Sequence, residues 1–239
     1  MKKSTKLALA LLALAALAVG GFLFYFYVIR EDAPPALTTS DLDNALGTTP
    51  AATTPAASTP AGVEASDPSG VWTISTDSIL GYRVQEVLGG LDTEGAGRTN
   101  QVTGSLTIEG TTLTEAAFTV DMATFSSDDS RRDGKFRGPI MSVDEFPTST
   151  FVLTSPIDFG TVPVAGESLT ATASGDLTLR GVTRSVTFDV QAKLDNGRLG
   201  VLGNIPILFS DYEINDPSNG FAEVKDNGLL EFVLVFDQA

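Results

Sequence analysis

From residue 70 to residue 239, apolar and polar side chains alternate with a period of two, the pattern of strands that bury one face. Residues 168–180 show it most cleanly. Leu169, Ala171, Ala173, Gly175, Leu177 and Leu179 share one face, while Ser168, Thr170, Thr172, Ser174, Asp176, Thr178 and Arg180 share the other. The next run sets Val186, Phe188, Val190, Ala192 and Leu194 against Ser185, Thr187, Asp189, Gln191 and Lys193. Residues 71–74, 79–87, 102–108, 116–122, 199–209 and 230–236 also read as strands. Pro206 predicts an edge or a bulge in its strand, because proline donates nothing to a ladder. Turn signals separate the runs at Glu109-Gly110, Arg180-Gly181, Asn196-Gly197 and Asn227-Gly228. Asn-Gly suits a two-residue hairpin, where both central residues take positive φ.

About eight or nine strands with short connections predict a mainly antiparallel, up-and-down sheet, which must close or sandwich to lose its edges. An eight-stranded barrel has room for packed side chains or one small ligand, and the alternation is the same for both. One segment breaks the rhythm. Residues 126–137, SSDDSRRDGKFR, place acids just after a capping serine and predict a short helix over 127–137, then a loop to Pro147.

The N-terminal part is different material. Residues 7–29 carry no charge and would extend roughly 35 Å as a helix, against a bilayer core of about 30 Å. Lys2, Lys3 and Lys6 precede the run, and Tyr25 and Tyr27 stand near its far end. The reading is an uncleaved single-pass transmembrane anchor over 1–30, N-terminus cytoplasmic, with the rest extracytoplasmic. A cleaved signal peptide is the alternative, but the run is longer than a usual signal core. Residues 31–69 are rich in Thr, Ala and Pro without aromatics, and read as a disordered linker of roughly 35 Å root-mean-square span. Residues 70–239 form the folded domain.

Composition narrows the chemistry. The chain has no cysteine and no histidine, which removes disulfides, thiolate nucleophiles, Ser-His-Asp triads and imidazole metal ligands. A net charge of −15 opposes nucleic acid, and every acidic residue follows residue 30. No nucleophile motif occurs, so the chain reads as a non-enzyme. Asp211, Glu213 and Asp216 do not have the spacing of an EF-hand loop, and no metal site is assigned.

Four stretches are recognisable together. They are Gly70-Val71-Trp72-Thr73-Ile74 with Ser78 and Gly81-Tyr82-Arg83-Val84; the Ser-rich turn from Phe125 leading to Arg132-Asp133; Phe146-Pro147-Thr148-Ser149-Thr150-Phe151; and Gly175-Asp176-Leu177-Thr178-Leu179-Arg180-Gly181-Val182-Thr183-Arg184-Ser185-Val186. In these the domain resembles the YceI-like family of polyisoprenoid-binding, lipocalin-like proteins, over essentially all of 70–239. Many members carry Asp and His in the first motif, where this chain has Ser75 and Asp77, so no headgroup role is carried over from that His.

The resemblance implies a barrel whose apolar interior takes up a long isoprenoid, such as a menaquinone or a polyprenyl phosphate, for storage, transfer or shielding. The candidate tail contacts are Tyr82, Val84, Phe118, Val120, Met122, Phe151, Leu153, Leu177, Phe188, Ile205, Ile207 and Phe232, with Arg131 as a possible headgroup contact. Arg180 and Arg184, beside a hairpin turn, read as structural or exposed. The alternative is a tethered cell-envelope interaction module with a filled barrel and no lipid ligand.

Overall fold

The computed structural model describes residues 3–24, 33–48, 67–162, 164–218, 220 and 222–239. The chain divides into two units, Met1–Ala33 and Pro34–Ala239. The first contains helix α1 (Lys3–Phe24). Among the described residues no helix is long and apolar enough to cross a membrane. This corrects the expected transmembrane anchor. Within the described residues the helix covers Lys3–Phe24, and its uncharged part there, 7–24, extends about 27 Å at 1.5 Å per residue, against a core of about 30 Å. Residues 25–29, on which the longer span relied, lie outside the described residues. The single-pass topology, the cytoplasmic N-terminus and attachment to a membrane through this helix fall with it.

The second unit is built from antiparallel strands: β1 (Gly70–Ile74), β2 (Ile79–Leu88), β3 (Leu91–Thr99), β4 (Val102–Glu109), β5 (Thr112–Asp121), β6 (Ser126–Ser127), β7 (Thr148–Leu153), β8 (Ile157–Asp158), β9 (Ser168–Leu179), β10 (Val182–Asp195), β11 (Arg198–Leu208), β12 (Ala222–Val224) and β13 (Asn227–Gln238). Eight of them close a ring in the order β1-β4-β5-β7-β9-β10-β11-β13, with β13 returning to β1. The all-β antiparallel sheet expected from the alternation is therefore present, and it closes into the barrel that the family resemblance implies. Its one short helix is also present: α3 (Ser130–Lys135), capped by the Asp129 carboxylate and continued by a single π-helical turn over Phe136–Ile140.

The path is not a simple up-and-down meander. The long strand β13 pairs with β1 through Phe236, Asp237 and Gln238, and with β2 through Leu229–Val233. Ser78 makes the junction between them. It is fully buried, and its hydroxyl accepts from the Val235 amide (2.9 Å) and donates to the Val235 carbonyl (3.2 Å). Both ladder groups of Val235 are thus engaged where one partner strand gives way to the next.

The turns divide. Arg180-Gly181 and Asn196-Gly197 have positive φ at both residues, as a type I′ turn requires. Asn227-Gly228 does not turn: it pairs with Leu208 and Ile207 at the start of β13, and Gly228 there lies close to the Phe209 ring. Pro206 sits where β11 has lost its β10 neighbour, whose pairing stops at Gly203, so its missing amide hydrogen costs no ladder bond on that side.

Part of the expected linker is folded. Residues 34–48 lie on the outer wall of the barrel around α2 (Thr39–Ala45), whose N-terminus carries a reciprocal Thr38–Asp41 capping box. Leu42 and Leu46 pack on Val233 and Val235, and Lys193 donates to Asp43 at 2.7 Å. This corrects the expectation of disorder across 31–69 for its first part; residues 49–66 lie outside the described residues.

Candidate functional site

The inward faces of the ring strands enclose one elongated cavity of about 180 Å³ with an almost wholly apolar lining. Along β9 the lining runs from Leu169 to Leu179. That is about 33 Å of strand, or roughly 25 Å along the barrel axis at the usual strand tilt. Period two brings these side chains inward, and small residues leave the space. Ala173 and Ala192 stand in the lining where a leucine would fill it.

Five phenyl rings line the cavity in a chain. Phe236 meets Phe118 at 5.7 Å, Phe118 stacks on Phe151 at 6.5 Å, Phe151 meets Phe188 edge-on at 5.6 Å, and Phe188 meets Phe232 edge-on at 6.1 Å. Glycines on neighbouring strands seat them: a Cβ on Gly203 would run into the Phe232 ring, and one on Gly175 into Phe151. These contacts hold the rings against the wall.

The two ends differ. Pro68, Gly110, Thr111, Phe159 and Thr161, all outside the strands, line the cavity at the end that carries the β4–β5 and β10–β11 turns. The Phe159 amide bonds the Thr111 carbonyl at 3.1 Å, which ties the two loops of this rim together. The cavity is not fully enclosed, and at this end loop residues, not strands, border it. At the other end Tyr82 stacks on Phe136 at 4.8 Å, with Phe125 tilted against both, and Phe209 and Tyr212 are buried nearby in the core. Arg180 fastens this floor, donating to the Glu213 carbonyl at 2.6 Å and to the Ser142 hydroxyl at 3.5 Å.

Of the candidate tail contacts, Phe118, Val120, Met122, Phe151, Leu153, Leu177, Phe188, Ile205 and Phe232 line the cavity. Tyr82, Val84 and Ile207 do not; they pack beyond its inner end toward the floor. Arg131 is largely exposed on α3, ion-paired with Asp129 at 2.8 Å, and is not in the lining. Its hydrogen bonds hold the Asp129 carboxyl down at about 2. The half-buried arginine of this helix is Arg132, which pairs with Asp128 and, at 3.1 Å, with Glu86. Burial raises the Tyr82 phenol well above the usual tyrosine range; the nearby Arg132 guanidinium opposes that shift in part. Leu106, Ile108, Val190, Leu194, Leu199 and Phe236 also line the cavity and were not singled out from the sequence, although strand parity places each on an inward face.

Polar chemistry is directed outward. Glu231 is buried on the opposite face of β13 from Phe232. There it pairs with Arg98 and Arg83 and accepts from the Leu37 amide at 3.0 Å. Ser149 donates to the Thr178 carbonyl at 2.8 Å. Among the described residues no group of three His, Cys, Asp or Glu side chains is placed to hold a metal ion. The arrangement can bury an apolar chain.

Comparison with known proteins fits this geometry. The chain is similar in structure to a polyisoprenoid binding domain from Saccharophagus degradans implicated in plant cell wall breakdown, with a TM-score of 0.56 and 18% identity over 71% of this chain and 99% of that one. It is also similar to BcnA of Burkholderia cenocepacia, with a TM-score of 0.54 and 20% identity over 68% and 98% of the two chains. No curated protein matches the sequence. The YceI-like domain matches over residues 72–236, which is most of the chain and nearly all of the barrel, and the protein belongs to that family.

Proposed function

We propose that the barrel binds a polyisoprenoid or a similar long-chain amphipathic lipid, without catalysis, in order to store, transfer or shield it. The observation that carries this reading is the elongated apolar cavity, bordered by loops at one end and by packed aromatic rings at the other. Burying each methylene of a chain is worth about 0.8 kcal/mol, so a long hydrocarbon gains affinity from length alone and needs few polar contacts. A filled barrel acting only through its outer surface would have no use for such a cavity. The proposed tail contacts are the nine candidate residues that line it. The polyisoprenoid-binding relative from Saccharophagus degradans supports the ligand class by analogy.

The test is native mass spectrometry of the full chain, followed by organic extraction. A stoichiometric isoprenoid that leaves with denaturation is expected. Substituting Ala173→Phe, at a lining position that is only 4% exposed, should abolish the adduct while a thermal melt still reports a folded barrel. A wild-type chain that carries no lipid and takes up neither menaquinone nor polyprenyl phosphate would overturn the reading.

A further inference from the structure

We infer that the rim of the cavity selects lipids by the charge of their heads, holding uncharged ones such as prenyl alcohols or quinones and turning away prenyl phosphates. This rests on the proposed lipid-binding reading and adds the class of ligand. The floor is built of the packed Tyr82, Phe125 and Phe136 rings, while loops alone border the cavity at the opposite end, so that end is the route by which a chain enters tail first and leaves its head at the rim. What the rim carries therefore decides which heads are accepted.

The rim carries negative charge. Asp67, Glu109, Asp158 and Glu167 are exposed on the segments that frame the mouth, with Asp195 half-buried in the β10–β11 turn. The framing is direct. Asp67 precedes the lining residue Pro68, Glu109 precedes Gly110, and Asp158 accepts from the Thr111 hydroxyl at 2.9 Å. Glu167 follows Gly166, whose amide bonds the Leu194 carbonyl at 2.8 Å. Hydrogen bonds from Ser69 lower the Asp67 carboxyl below the ordinary carboxylate value, and those from Gly160 and Thr111 do the same for Asp158, so both remain ionised at neutral pH.

Cations do not offset them. Among the described residues the basic groups nearest this end are Lys193, which also borders the cavity, and Arg198, and the charged ends of both are paired with carboxylates. Lys193 pairs with Asp43 at 2.7 Å, and Arg198 with Asp77 at 2.8 Å and Asp237 at 2.9 Å. The arginines of α3 and of the β9–β10 turn belong to the floor. Three or four carboxylates within roughly 8–10 Å of a phosphate in water disfavour it by about tenfold. Salt weakens the effect as the screening length falls from about 10 Å at 0.1 M to about 3 Å at 1 M.

The experiment uses a matched pair of probes, farnesol and farnesyl phosphate, titrated into the full chain at low and at high salt. Farnesol should bind about tenfold more tightly at low salt, with the ratio shrinking as salt rises. In the double variant Glu109→Lys/Glu167→Lys the ratio should close or invert, while the affinity for farnesol stays within about twofold. The neutral double variant Glu109→Gln/Glu167→Gln should fall between, which guards against a reversal variant that fails to fold. Equal binding of the two probes by the wild type, or a preference that neither salt nor the variants move, overturns the charge selection and leaves the lipid-binding reading standing. Binding of neither probe overturns both.

Discussion

Tyr82 is conspicuous among the candidate residues because its environment gives it a different task from its neighbours in sequence. Its ring stacks on Phe136 at 4.8 Å, lies over Gly97 of the adjacent strand, and puts its hydroxyl beside the Arg132, Asp128 and Glu86 charges. Burial favours the neutral phenol, so above about pH 10 the folded chain holds a proton that the unfolded chain has lost. The stability Tyr82 contributes is therefore fully present below pH 10 and declines as pH rises toward the folded value. Tyr82→Phe keeps the stack and removes the titration. Denaturant midpoints measured from pH 8 to 11 should fall less steeply for the variant than for the wild type, and parallel curves would count against this account.

At the scale of elements, α2 and its flanks deserve comparison with the barrel wall beneath them. Val233 and Val235 of β13 face outward, yet they are 1% and 0% exposed because Leu42 and Leu46 cover them. Gly200 of β11 admits the two leucines closely, since a Cβ there would meet their side chains. The segment is held at both ends: Arg83 donates to the Pro34 carbonyl at 2.5 Å, Arg98 to Pro35 at 2.9 Å, and Asn196 to Leu46 at 3.0 Å. Leu42→Ala should cost about 2–5 kcal/mol by leaving a void against β13. Hydrogen exchange should show lost protection over 34–48, with the ring strands little changed. Loss of protection across the whole barrel would mean that the segment is integral to the fold and not an outer layer.

At the scale of the whole molecule, closure of eight strands leaves an interior that side chains do not fill. A ligand that enters it binds the folded chain and not the unfolded one, so it stabilises by mass action: about 2.7 kcal/mol at a hundredfold excess over its Kd. The melting temperature should rise with farnesol concentration without a plateau until solubility intervenes. Ala173→Phe should melt at a temperature independent of the lipid. A wild-type melting temperature that ignores the lipid would show that the cavity takes up nothing.

The residue pattern by itself determined the strands, their inward faces and the all-β antiparallel class, because period two is a local property of each strand. It marked Leu177 and Phe188 as inward-facing, and the first turn of α3 as a helix start, for the same reason. What the pattern could not determine depends on partners distant in sequence. Leu42 and Leu46 look like parts of a Thr- and Pro-rich tether until β13, nearly two hundred residues later, supplies the outward valines that bury them. Asn227-Gly228 reads as a turn until pairing with Leu208 and Ile207 draws it into a strand. The uncharged N-terminal run reads as a span, yet no helix among the described residues is long and apolar enough to cross a membrane. Whether inward side chains fill a barrel or leave a cavity is a question of volume summed over all the strands, and no single strand carries that sum. Which loops and which charges border the cavity at one end followed only from closure, which brings the β4–β5 turn, the loop after β8 and the β10–β11 turn together.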